Sequence, residues 1–179
     1  MADAFKEWQV IVEALGAGEQ ILILRKGGLA EGRGGFQAKA EKFWLSPTRF
    51  HEQLARTKPA AKKFFDRLTP ETGRIELRYF AEVVRHAFLA DWAVVAALDA
   101  FHFWSEDTIR ERFNWARPSG LHAFAVRVHR LKQPVALVPT PEMAGCKSWI
   151  DLPLDFSAHP NEPVLAEEAF TRGVAVLGF

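Results

Sequence analysis

The chain has 179 residues, an apolar fraction of 49% and a formal net charge of +1, which suits one ordinary domain or two small ones sharing an interface. A single cysteine, Cys146, excludes an internal disulfide, and the longest apolar runs, such as Trp92 to Leu98 and Val174 to Leu177, fall short of the roughly 20 residues that a membrane-spanning helix needs. No basic stretch leads into an apolar run at the N-terminus, so a reducing cytoplasm is the expected location.

Taken in chain order, Phe5, Trp8, Ile11, Val12 and Leu15 recur at helical spacing, with Asp3 as cap and Gly16 to Gly18 as stop, and predict an opening amphipathic helix. Gln20 to Leu24 reads as a short buried strand, followed by a glycine-rich loop to Gly35. Phe36 to Leu45 reads as extended, and Arg49 to Leu68 as helical with Pro59 interrupting it. The turn Thr69 to Gly73 divides the chain into residues 1–68 and 69–179, as two regions or as two halves of one shared core.

Beyond the turn, Ile75, Leu77, Tyr79, Ala81 and Val83 alternate with polar residues as one face of a half-buried strand. Trp92 to Phe103 reads as helix, and Ser105 as the N-cap of a second helix through Phe113. Leu121 to Leu131 alternates again, with Phe124, Val126 and Val128 on one face, and Val135 to Val138 continues the sheet past Pro134. A short helix over Leu165 to Arg172 and a strand from Val174 close the chain. The expected class is α+β, with mixed small sheets and flanking helices.

Charge is uneven. Residues 25 to 63 hold ten Lys or Arg against three Glu, a local excess suited to phosphate-bearing partners. Within it, Gly27-Gly28-Leu29-Ala30-Glu31-Gly32-Arg33-Gly34 has the outer glycines of a P-loop. Arg33 replaces the phosphate-binding lysine and Gly34 the metal-binding hydroxyl, so the P-loop chemistry is missing. What remains is an anion-binding nest of Arg25, Lys26, Gly27, Gly28 and Arg33.

The six histidines lack zinc spacing, so no metal and no cofactor is expected. His51, beside Glu52, is the best candidate proton carrier. Cys146 next to Lys147 is the weaker pattern of a reactive thiol. Fifteen Phe and six Trp stand against one Tyr, and most of these rings belong in a core. Trp104, Trp115 and Trp149 are the rings to test as base-stacking surfaces, with Arg127, Arg130 and Lys147 beside them.

Several short runs together resemble a known family: Phe5-Lys6-Glu7-Trp8, Leu24-Arg25-Lys26-Gly27-Gly28, Gly34-Gly35-Phe36, Phe43-Trp44-Leu45 with Pro47-Thr48, Arg112-Phe113, and Gly145-Cys146-Lys147-Ser148-Trp149. In this order they resemble the bacterial family catalogued as domain-of-unknown-function family 1802, over Phe5 to about Pro153. Ser46 stands where a bulkier apolar residue is expected. The resemblance implies no activity. The layout of the second half, a strand ending Phe80 to Val84, a helical region, then Val126 to Leu131 with Pro134-Val135, also resembles PUA-like RNA-binding barrels.

Three functions are compatible with these patterns. The first is a nucleic-acid- or nucleotide-binding module that uses the basic segment for phosphates. The second is a small enzyme on a phosphorylated or anionic substrate, held by Arg25, Lys26 and Arg33 with His51 or Glu52 as proton carrier. The third is a protein-interaction subunit marked by an exposed apolar patch.

Overall fold

The computed structural model describes residues 2–26, 41–49, 53–68, 73–145 and 147–179. Its elements are β1 (Ala2–Trp8), α1 (Gln9–Gly16), β2 (Leu22–Arg25), β3 (Lys42–Thr48), α2 (Lys62–Phe65), β4 (Ile75–Leu89), α3 (Trp92–Ala97), α4 (Glu106–Asn114), β5 (Leu121–Leu137), β6 (Trp149–Leu152), β7 (Asn161–Pro163) and α5 (Glu167–Ala175). The class is α+β, as expected, with the strands gathered into one seven-stranded sheet in the order β2-β5-β4-β3-β1-β6 and β7 paired to β5. No helix among the described residues is long and apolar enough to cross a membrane.

The sheet is built on β4 and β5, antiparallel from Ile75 opposite Leu137 to Leu89 opposite Leu121. Register shifts fall between Leu77 and Tyr79 and between Val83 and Arg85, and such irregularities bend and twist a strand pair. The sheet curls far enough for its two end strands to meet: Arg25 at the end of β2 donates from Nη2 to Ser148 Oγ, just before β6, at 3.2 Å. Strands from both halves of the sequence form this barrel-like curl.

Register assigns the faces. Arg25 and Phe88 lie opposite His122, Ile23 and His86 lie opposite Phe124, and Val83 lies opposite Val126. This face is concave, because Arg25 reaches across it to the Phe5 ring of β1, 5.1 Å from guanidinium carbon to ring centroid. Phe5, Phe43, Leu45, Phe124, Val126 and Val128 belong to the main core. Trp44, Phe80, Leu131, Ile150 and Leu152 form a second core, where Phe156 stacks on Trp44 at 4.9 Å.

Several sequence expectations change. Phe5 to Trp8 is strand, and the helix begins only at Gln9, because β1 is an inner strand bonded to β3 on one side and β6 on the other. Every residue of α1 is buried, so the helical spacing of apolar residues spans a strand-helix junction whose two parts are both core. The shared face expected of Ile75 to Val83 breaks at the first register shift: Leu77 joins the second core, whereas Tyr79 and Ala81 join the main one. Between residues 53 and 68 the helical segments are the 3-10 turn Pro59–Ala61 and α2. The strand expected from Val174 is instead the end of α5.

Tight packing at the end of α1 gives a first prediction. A Cβ on Gly16 would lie 2.1 Å from Tyr79 Cζ, and Tyr79 is held by Arg130, whose Nη2 also donates to Gly16 O at 2.7 Å. Helix propensity favours alanine over glycine by about 1 kcal/mol, but overpacking a filled core costs about 1–3 kcal/mol. Sterics should win, so Gly16→Ala is expected to lower the urea midpoint, and a raised midpoint would refute the packing argument.

Candidate functional site

Four elements converge at the place where the sheet closes. The end of β1 supplies Phe5, Glu7 and Trp8, the end of β2 supplies Arg25 and Lys26, α4 supplies Arg112, and the approach to β6 supplies Ser148 and Trp149. Described residues of four of the runs that carry the family resemblance, Phe5 to Trp8, Arg25 and Lys26, Arg112, and Ser148 and Trp149, therefore contribute to one site.

Glu7 is its buried centre, with no side-chain exposure. Its Oε1 accepts from the Trp8 backbone N–H at 2.8 Å, while Oε2 has no hydrogen-bond donor among the described residues. Arg25 Nη1 stands 3.8 Å from Oε2. Arg112 lies with its guanidinium carbon 4.9 Å from the Trp8 ring centroid and 5.0 Å from that of Trp104, and donates from Nη1 to Leu24 O at 3.3 Å. Burial pulls the Arg112 pKa down to about 10, and the Glu7 carboxylate opposes that fall. One carboxylate against two guanidiniums leaves the cluster with excess positive charge.

Aromatic rings wall this cluster. Phe5, Phe43 and Trp149 form a mutually packed trio with centroids 5.0 to 5.6 Å apart, and Arg25 lies over the first of them. Lys26 extends the charge along the rim, its Nζ donating to Pro118 O at 2.6 Å and to Phe113 O at 3.3 Å. Burial, with Arg117 nearby, holds the Lys26 pKa below the usual lysine range.

Four other cations of the basic segment are paired on folding. Lys42 pairs with Glu82, Arg56 with Glu111, Lys58 with Asp99 and Lys63 with Glu19. Each acid comes from outside residues 25 to 63, so part of the local excess seen in the sequence is met by distant elements. Arg25 and Lys26 are its members at the site.

Among the sequence candidates, the structure brings Arg25, Lys26 and Trp149 together, with Lys147 exposed beside them. Trp104 is fully buried, a core ring under Arg112. Trp115 is 62% exposed at the end of α4. Arg127 lies on the opposite face of β5 from His122, paired to Glu167 of α5 at 2.7 Å, and Arg130 is engaged with Gly16 and Tyr79. Gly27, Gly28, Arg33, His51, Glu52 and Cys146 lie outside the described residues. Among the described residues no group of three or more His, Cys, Asp or Glu is arranged to hold a metal.

Sequence reasoning passed over Glu7, Arg112 and Ser148 as functional residues. Glu7 reads as the polar face of a helix and Arg112 as an ordinary arginine of an amphipathic helix. Their signal was membership in the short family-like runs.

Two solved structures resemble this fold: ASCH from Zymomonas mobilis and a point mutant of it, each 13% identical with a TM-score of 0.48. The alignments cover 97% of this chain and 94% and 96% of those chains. No curated protein matches the sequence. The family described as domain of unknown function DUF1802 matches residues 4–175, and the chain belongs to that family.

Proposed function

We propose that the protein is a nucleic-acid- or nucleotide-binding module whose principal phosphate contact is Arg25. The observation that carries this reading is the state of that guanidinium. It has five N–H donors, yet among the described residues it donates to one hydroxyl, that of Ser148, and stands outside hydrogen-bond distance of Glu7. Its side chain keeps 20% of its surface. A partly exposed arginine held over a ring, with N–H groups to spare, suits a phosphate oxygen beside a base.

The test is binding of fluorescent single-stranded RNA, single-stranded DNA and duplex DNA across a salt series, comparing wild type with Arg25→Gln after the variant's fold is confirmed by circular dichroism. Loss of one phosphate contact should weaken binding about tenfold and reduce the slope of log K against log salt by about one. Absence of binding to all three at low salt, or an unchanged slope in the variant, would refute the reading.

A further inference from the structure

We propose that the row of rings at the end of β4 and β5 is the surface on which the bases of a single-stranded nucleic acid stack, an inference that rests on the reading above and locates its base contacts. The row runs Phe88, His122, His86, Phe124 along the concave face. Phe124 and His86 lie 4.5 Å apart and within 4° of parallel, His86 and His122 are 5.2 Å apart at 21°, and Phe88 and His122 are 4.9 Å apart at 55°. The inner end is core. At the outer end His86 is exposed and Phe88 keeps 43% of its surface.

Three features separate this row from casual surface apolarity. First, its rings are fixed before any ligand arrives. His86 Nε2 and His122 Nδ1 are hydrogen-bonded at 2.9 Å, which locks both imidazoles, and burial keeps each of them below its ordinary pKa, so they present neutral flat rings. Second, Phe88 occupies a space reserved for it: a Cβ on Gly120 would come 2.4 Å from Phe88 Cζ.

Third, the charge is complementary. Arg25 shares a rung with His122, and the Lys26 ammonium acts on the His122 ring and itself feels Arg117. Lys26 also holds Pro118 O, two residues before Gly120. Cations therefore border the rings, Arg25 on the rung of His122 and Lys26 next to it in the chain. A duplex hides its base faces, so the fitting partner is single-stranded.

The experiment uses the full chain and a short single-stranded RNA carrying a fluorescent purine analogue, with duplex DNA of matched length as the second probe. Wild type, Phe88→Ala, Phe88→Leu and Arg25→Gln are compared for affinity, salt slope and quenching of the purine on binding. Phe88→Ala should weaken single-strand binding about 5- to 100-fold, abolish most of the quenching, and leave the salt slope and duplex affinity unchanged. Phe88→Leu keeps the apolar bulk and should still lose the quenching. Wild-type affinity and quenching in Phe88→Ala, alongside a loss in Arg25→Gln, would overturn the stacking surface while leaving the phosphate reading intact. Duplex affinity falling in step with single-strand affinity would also overturn it. Failure of the wild type to bind either probe would overturn both readings.

Discussion

Arg112→Ala is expected to reduce the free energy of unfolding by about 2 kcal/mol in urea denaturation, the scale of a desolvated cation–π contact together with the packing of the arginine stem. The guanidinium lies against Trp8 and the fully buried Trp104, so truncation opens a gap beside two indoles. It also leaves the buried Glu7 with Arg25, at 3.8 Å, as its ion-pair partner among the described residues. Arg112→Met separates the two losses: methionine refills the space and packs well on rings but brings no charge. A smaller loss for Met than for Ala assigns the difference to packing, and equal losses assign the effect to charge. A loss below about 1 kcal/mol for Ala, the level of an ordinary surface pair, would show that Arg112 does not support the cluster.

Acid should destabilise the protein through His102. This residue is 4% exposed, and burial holds its pKa down to about 4 from the usual 6.5, with Lys58 acting in the same direction and Asp99 against it. The unfolded chain takes up a proton near pH 6.5 that the folded chain refuses until near pH 4. Stability contributed by the neutral imidazole is thus complete above pH 6.5 and falls as pH drops toward 4, a loss of about 3 kcal/mol at 1.36 kcal/mol per unit. Below that window both states carry the proton and this contribution is flat. The more superficial His122, also held to about 4 by burial and His86, adds to the loss with the same sign. Equilibrium unfolding at a series of pH values from 7 to 4 measures the slope, and His102→Gln should flatten it. A variant with the wild-type slope would place the acid sensitivity elsewhere.

How much of this was legible in the sequence depended on whether the signal was local. Ser105 caps α4 as read, its Oγ accepting from the Thr108 backbone N–H at 3.3 Å, because a cap needs only its own next turn. The alternation of Phe124, Val126 and Val128 likewise survives, since all three enter the main core. The β1 segment was misread because it is covered on both faces and so lacks the period-two contrast that marks a strand. The parallel pairing of β1 with β3 leaves no local trace at all.

The site was legible in its cations and illegible in its arrangement. Arg25 and Lys26 stood out by charge. Their companions come from β1, α4 and the approach to β6, more than a hundred positions along the chain in the case of Ser148. His86 and His122 lie 36 residues apart, and only the offset of β4 against β5 after the second register shift puts their nitrogens in contact. The excess charge of residues 25 to 63 pointed to a broad basic surface, yet acids from distant elements pair with four of its cations.

The contact between Arg25 and Ser148 ties the first strand of the sheet order to the last, as a clasp fastens the two ends of a band. On the proposed reading, a phosphate would take the remaining N–H groups of the same guanidinium that fastens the band. Ligand affinity and closure of the sheet would then be coupled through a single side chain, because the seam sets where the guanidinium stands. Changes near Ser148 that never touch a ligand would tune affinity by setting how firmly the clasp is shut.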